Sequence, residues 1–328
     1  MNVTASAALR WALLGAARIA DQAILPALRS LGSRVVALGC RDPSRGRAFA
    51  QRHGIPVVDS YEQVLQREDV DAVYIGLHNA AHVPWAVAAL RQGKHVLCEK
   101  PLGTTADEVW QLRSVQAHTG LQVAEAFMYR FHPQIERAAR IVACGEIGEL
   151  RVMRGSFGFL LDRPDDARWD PALGGGSLYD VGCYPLSLMR LLSGHEPEVL
   201  AAHARMSLSG VDAYLHAVLR FGECLAHLDC GFEMPVLDHR FECIGTQGRL
   251  TLHRPFITHG VATELELAWS DRSRTERFAP VDTYALMLAH FERAVRGEEA
   301  PRWTMDDAWR QAVGLEAVLH AAAGARTA

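Results

Sequence analysis

The sequence predicts an α/β chain: a doubly wound parallel sheet first, then an α+β part built on a large, open, mostly antiparallel sheet. Three observations carry this. Strand-like segments up to about residue 125 are short, nearly continuous apolar runs such as Ala72–Leu77, the pattern of parallel strands covered on both faces. Segments of helical period separate them, which makes repeated strand–helix–strand units with right-handed crossovers. From Leu150 onward the runs follow one another across short glycine-containing turns, as in antiparallel sheets.

The elements follow in order. Trp11–Leu14 is the first strand and ends at Gly15. Ile19, Ala20, Ala23, Ile24, Ala27, Leu28 and Leu31 recur at helical spacing, and Pro26 kinks or restarts that helix. Val35–Leu38 is the second strand. Asp42-Pro43 opens the next helix as N-cap and first-turn proline, and Gly54 closes it. Val57-Val58 and Ala72–Leu77 are strands three and four. Ala80–Gln92 is helical, with Gly93 at its C-terminal cap. The fifth strand, Val96–Cys98, runs into Glu99-Lys100-Pro101, whose Lys100–Pro101 peptide is a candidate for the cis form. Thr105 and Glu108 make a capping-box pattern for another helix, and Gln122–Ala126 is the sixth strand. In the second part Leu150–Leu160, Val199–Leu208, Ala213–Phe221, Leu225–Phe232, Arg240–Ile244, Arg249–Leu252 and Thr263–Trp269 are strand-like, implying about six to nine strands. Gly174-Gly175-Gly176 precedes a helix over about Ser177–Leu192, and helices over about Thr283–Arg296 and Met305–Ala322 close the chain.

Composition bounds the function. The chain has 328 residues, 49% hydrophobic and 22% charged, which fits a soluble globular protein of two domains. A formal net charge of −4 gives no argument for nucleic acid or an anionic membrane as partner. No apolar stretch approaches the roughly 20 residues of a spanning helix. The start, MNVTASAALR, lacks a basic segment followed by an apolar one, so no secretory leader is read and a cytoplasmic protein is expected. Seven scattered cysteines without a C-x-x-C pair read as reduced, mostly buried side chains.

Ligands of a doubly wound sheet sit beyond the carboxyl ends of its strands. Gly15, Arg41, His78-Asn79 and Glu99-Lys100 all lie there. LLGAARIA is a degenerate dinucleotide turn with Gly15, Ala17 and Ala20 at the three small-residue positions; Gly15, Ala17, Arg18 and Ile19 are candidate cofactor contacts. No free acidic residue follows the second strand. Arg41 and Arg45 stand there instead, with Asp42 committed to the helix cap, so NADP(H) is favoured over NAD(H). In GLHNAAH, Leu77, His78, Asn79 and His82 are candidates for ribose or nicotinamide contacts, and Asn79 equally for a helix cap. His78 and His82 have no acidic third ligand beside them, so no metal site is expected. Asp180 and Tyr184 share a helical face after the three glycines, which expose the helix's first amides and leave room for a ligand. A tyrosine near its usual pKa of about 10 is a poor proton shuttle, and a neighbouring ammonium lowers that value.

The order Gly15…Ala20, Glu99-Lys100-Pro101, then Gly174-Gly175-Gly176-x-x-x-Asp180-x-Gly182-x-Tyr184 resembles the Gfo/Idh/MocA oxidoreductases, and EAFMYRFHPQ at 125–134 adds to it. The resemblance implies a Rossmann dinucleotide-binding domain over 1–125, a substrate-binding and oligomerisation domain over 126–303, and a terminal helix, 304–328, packing back on the first domain. It implies a homo-oligomer, dimer or tetramer, joined through the open sheet. Lys100 is similar to the family's catalytic lysine near the nicotinamide, with Glu99 beside it; Asp180 is similar to the residue that orients substrate or tunes the acid/base. Tyr184 stands where many members have histidine, and resembles the branch with dihydrodiol dehydrogenases, D-xylose dehydrogenases and glucose–fructose oxidoreductase. His78 departs from the family's usual proline before Asn79. The implied reaction is hydride transfer between nicotinamide and a secondary alcohol or ketone of a sugar, polyol or cyclic diol. Phe127, Arg130, Phe157 and Trp169 are candidate walls of the substrate pocket, with Asp180 and Tyr184. Two alternatives stay open. One is a redox-neutral enzyme that holds NAD(P) tightly; the other is a non-catalytic sensor, against which Lys100, Asp180 and Tyr184 speak.

Overall fold

The computed structural model describes residues 8–324. The stretch 1–7, on which the lack of a leader is partly read, and 325–328, the end of the expected terminal segment, lie outside the described residues.

The first sheet has six strands: β1 (Arg10–Leu14), β2 (Arg34–Gly39), β3 (Val57–Asp59), β4 (Ala72–Ile75), β5 (His95–Cys98) and β6 (Val123–Glu125). All pair in parallel, in the order β3-β2-β1-β4-β5-β6. That order reverses between β1 and β4, which places a ligand crevice at their carboxyl ends. Helices α1 (Leu25–Ser30), α2 (Pro43–His53), α3 (Tyr61–Leu65), α4 (Asn79–Arg91) and α5 (Ala106–Thr119) make the crossovers. The kink expected at Pro26 takes the form of a π-helical turn, Ala20–Ile24, ahead of α1. Widening there accommodates a proline that lacks an N–H and crowds the preceding turn. Asp42 caps α2 by accepting from the Ser44 and Arg45 amides at 2.8 and 3.1 Å, and its carboxyl is held below the usual range by those bonds. Helix α3 was not anticipated, although Ser60 and Gln63 form a capping box that announces it.

The second unit opens with a 3-10 turn (Met128–Phe131) and α6 (Pro133–Ala143). Its eight strands are β7 (Leu150–Leu160), β8 (Glu198–Met206), β9 (Asp212–Phe221), β10 (Cys224–Gly231), β11 (Glu233–Gly245), β12 (Arg249–Leu252), β13 (Thr263–Ala268) and β14 (Ser273–Phe278). The order is β14-β13-β12-β11-β7-β10-β9-β8, antiparallel except for the parallel β7–β10 pair. The expected helix over Ser177–Leu192 is a π-helical turn, Leu178–Gly182, continued by α7 (Cys183–Ser193). Gly155 lets this helix approach the sheet: a Cβ there would lie 2.8 Å from that of Pro185.

Helices α8 (Thr283–Val295) and α9 (Met305–Gly324) end the described chain. Tyr284–Trp309, which holds α8 and the first turn of α9, clusters with the first unit, and the chain from Arg310 with the second. The reason is a buried polar lock. The Glu292 carboxylate accepts the Trp11 indole N–H at 2.9 Å and the Ser33 hydroxyl, and Phe291 packs on Trp11 at 5.4 Å. Beyond residue 309, Gln311 donates to the Cys183 carbonyl at 2.9 Å and accepts from Arg190 at 3.1 Å.

Candidate active site

The tips of β1, β2 and β4 are tied together. The Gly15 amide donates to Gly39 O at 2.9 Å, and the Gly76 amide to Leu14 O at 3.0 Å. Gly15 has φ +101°, and a Cβ there would lie 2.7 Å from Gly76 O and 2.9 Å from the Leu77 side chain. Only glycine fits, and the turn fits a dinucleotide pyrophosphate, which needs bare backbone at this place. Ala17 and Ile19 are half-buried, Arg18 and Arg41 exposed. Beside the turn is an open cavity of about 530 Å³ lined by Ala17, Arg18, Asp21, Arg45, Phe49 and Arg52 among others. Arg45 reaches across it and donates to Ala16 O at 2.8 Å.

After β4, His78 is the N-cap residue of α4, so Asn79 is the first helical residue and not its cap. Leu77, His78 and Asn79 are half-buried. His82 is placed differently from the expectation of a ligand contact. It is wholly buried, with Nδ1 2.8 Å from Pro101 O and Nε2 3.1 Å from Leu77 O. Both ring nitrogens thus face backbone carbonyls, and burial pulls its pKa down to about 4 despite them. The imidazole braces the β4 loop against the β5 tip.

That tip is held from several sides. The Lys100–Pro101 peptide is cis. The buried Tyr74 hydroxyl donates to Glu99 Oε1 at 2.7 Å; burial first, then Glu99, pushes the phenol well above its usual pKa. Glu125 Oε1 accepts the Leu102 amide at 2.8 Å. Lys100 itself is half-buried. Tyr74 and Glu125 are supports that sequence reasoning missed, although Glu125 opens the EAFMYRFHPQ stretch.

In the second unit Gly175 and Gly176 do a different job from the one expected. They let backbone and side chains close in. A Cβ on Gly176, at φ +121°, would strike the Asp212 carboxylate, and one on Gly175 would strike Arg168 O. Asp212 takes the helix's first amide itself: Oδ2 accepts Leu178 N and the Ser177 hydroxyl, both at 2.7 Å. Its carboxyl is pushed up by burial, with those two bonds opposing. The turn so anchored carries Asp180, whose Oδ2 accepts from Arg168 Nε at 2.6 Å. Neither Asp212 nor Arg168 stood out in the sequence.

Tyr184 follows in the first turn of α7. Its ring is enclosed by Phe127, Tyr129, Phe157 and Phe256, with centroids 5.3–5.6 Å away. Its hydroxyl lies 3.9 Å from Met128 Sδ. Phe127 and Phe157 are therefore buried supports of Tyr184, not an open wall. Arg130 is buried too; Nε and Nη2 donate to Ser187 Oγ at 3.0 and 2.7 Å, and its guanidinium lies over Phe127. Trp169 alone of the four wall candidates is half-exposed, packed edge-on against Phe232 at 5.2 Å.

Among the described residues no group of three or more His, Cys, Asp or Glu side chains is arranged to hold a metal ion, and no helix is long and apolar enough to cross a membrane.

Residues 9–127 match the family described as "Oxidoreductase family, NAD-binding Rossmann fold", and residues 135–251 the "GFO/IDH/MocA C-terminal domain". A D-xylose 1-dehydrogenase (NADP(+)) of Haloferax volcanii is 39% identical over 298 residues, 90% of this chain and 91% of its own. A 3-ketoreductase from Actinomadura kijaniata, solved with NADP and TDP-benzene, has a TM-score of 0.91 at 33% identity, covering 96% of this chain and 98% of its own. The aldose-aldose oxidoreductase of Caulobacter crescentus, complexed with glycerol, has a TM-score of 0.89 at 25% identity, covering 98% and 99%. The chain belongs to the Gfo/Idh/MocA oxidoreductases. It is an NAD(P)-dependent dehydrogenase or reductase of the sugar and polyol group, acting on CH–OH or the corresponding keto group.

Proposed function

We propose that the enzyme moves a hydride between NADP(H) and a secondary alcohol or ketone of a sugar, polyol or cyclic diol, with Tyr184 and Lys100 as its acid/base pair. The observation that carries this is Tyr184 itself: a phenol locked by four aromatic rings, one turn beyond an ion-paired carboxylate. When bound, the nicotinamide supplies the hydride acceptor or donor. Tyr184 Oη takes the hydroxyl proton during oxidation and returns it during reduction. Lys100 lowers the phenol's pKa and stabilises the developing alkoxide, and the supports from Tyr74, His82 and Glu125 fix the tip that carries it. Asp180, ion-paired with Arg168, accepts a hydrogen bond from a neighbouring substrate hydroxyl.

NADP(H) is favoured because guanidinium groups, and no uncommitted carboxylate, follow β2. Asp42 is spent on the α2 cap, leaving Arg41, with Arg18 and Arg45 beside the turn, for a 2′-phosphate. Gly15, Ala17 and Ile19 take the pyrophosphate; Leu77, His78, Asn79 and Glu99 line the nicotinamide side. Trp169 takes a sugar face. A homo-oligomer formed through the outer face of the second sheet is part of the same proposal. There Leu225 is 44% exposed, and its register partner Val152 and the next, Ile244, are half-covered.

The test is absorbance at the nicotinamide band: NADP⁺ and NAD⁺ against pentoses, hexoses and cyclic diols, and NADPH against ketosugars. Turnover with NADP(H) is expected. Silence across the whole panel contradicts net hydride transfer to free cofactor and favours a redox-neutral enzyme.

A further inference from the structure

Arg168 is built into the second unit more firmly than a surface arginine needs. Its backbone amide donates to Asp166 Oδ1 at 3.2 Å, and its carbonyl accepts the Gly176 amide at 3.0 Å. Its Nη1 donates to Asp166 Oδ1 at 3.1 Å and its Nε to Asp180 Oδ2 at 2.6 Å. Asp166 is itself held by Arg163 at 2.6 Å. The guanidinium, 6.0 Å from the Phe159 ring centroid, is thus fixed in plane and direction. Burial lowers its pKa and the two carboxylates more than offset this, so it stays charged.

A guanidinium has five N–H donors in a rigid fork. Two sites are used here, Nε and Nη1; Nη2 has no acceptor among the described residues, and a third of the side chain is exposed. Asp180 beside it, the carboxylate partner of that ion pair, is the acceptor. A fixed donor beside a fixed acceptor matches two adjacent hydroxyl groups: one O–H donates to Asp180, and the neighbouring oxygen accepts from Arg168 Nη2.

We propose that Arg168 is a specificity-determining residue that, with Asp180, recognises a hydroxyl adjacent to the reacting carbon, so that the enzyme selects vicinal diols over simple alcohols. The proposal rests on the placement of Asp180 at the substrate given above. A site built to pair a hydroxyl rejects the analogue that lacks it, because its own polar groups are left unpaired.

The experiment measures kcat/KM with NADP⁺ for wild type, Arg168→Lys and Arg168→Met on two substrate pairs: D-xylose with 2-deoxy-D-xylose, and trans-cyclohexane-1,2-diol with cyclohexanol. Wild type should prefer the diol member of a pair by on the order of 100-fold. Arg168→Met should lose most of that factor on the diol and little on its partner, collapsing the preference; Arg168→Lys, which keeps a charge but not the fork, should fall between. Equal losses on both members of a pair would reduce Arg168 to a structural support and overturn the assignment. No turnover of any of the four by wild type that binds NADPH, seen by fluorescence titration, overturns the functional reading beneath it instead.

Discussion

His82 makes the first unit acid-sensitive in a calculable way. The folded protein holds it neutral, wholly buried between the Pro101 and Leu77 carbonyls, with a pKa of about 4. In the unfolded chain the same imidazole titrates near 6.5. Above about pH 6.5 both states are neutral and the full stability is present. As pH falls from there towards 4, the unfolded chain takes up one more proton than the native state. Stability therefore drops by about 1.4 kcal/mol per pH unit, roughly 3 kcal/mol over the window. His82→Gln removes the titration and keeps one amide donor for a carbonyl. At pH 7 it should cost about 1–2 kcal/mol through the imperfect replacement. Urea unfolding of both proteins from pH 4 to 8 reads the effect: the wild-type slope of ΔG against pH should exceed that of the variant by about one proton between pH 4 and 6.5. His132 and His239, also pulled down to about 4 by burial, titrate in both proteins and cancel in the comparison. Parallel slopes would refute the claim that His82 is a neutral brace.

Three further predictions concern the cofactor turn. Gly15→Ala forces a side chain into positive φ, at about 1–2 kcal/mol, and pushes its Cβ against Gly76 O; calorimetry should show a lowered Tm and titration an NADPH affinity at least about 10-fold weaker. An unchanged Tm with normal affinity would contradict the geometry of the turn. Arg41→Ala should weaken NADPH by about 10-fold or more while sparing NADH, since the charge-assisted bond proposed for it goes to the 2′-phosphate alone. Arg45→Ala should weaken both cofactors, because Arg45 also braces the turn through Ala16 O; loss confined to NADPH would show that the brace is dispensable.

The sheet of the first unit was legible because buried parallel strands are apolar throughout, and Asp42 and Gly54 mark a helix by chemistry that is local in sequence. What escaped was non-local or polar. β14 reads SRTERF, an edge strand with no apolar alternation, held partly by pairs such as Arg277–Glu264 at 2.9 Å. The parallel β7–β10 pair joins segments some seventy residues apart with nothing in either to specify direction. At the site, Lys100, Asp180 and Tyr184 stand out by motif, but their supports do not. Asp212 meets Ser177 across 35 positions, and Arg168 lies in an ordinary polar loop. His82 shows the converse. Four residues from His78 it reads as a possible ligand contact, and only the structure reveals that it is wholly buried with both nitrogens facing backbone carbonyls. Phe127 and Phe157 likewise read as a pocket wall, because sequence cannot tell an exposed aromatic from one buried against another ring, as both are against Tyr184.

The most direct test is the single-turnover rate of hydride transfer, followed by nicotinamide absorbance with the best substrate of the panel, for Lys100→Ala and Tyr184→Phe beside wild type. NADPH affinity is measured in parallel by fluorescence. Removing either proton-transfer partner should slow the hydride step by about 100- to 10,000-fold while NADPH affinity stays within about threefold. Near-wild-type hydride transfer in either variant would contradict the assignment of Tyr184 and Lys100 as the acid/base pair.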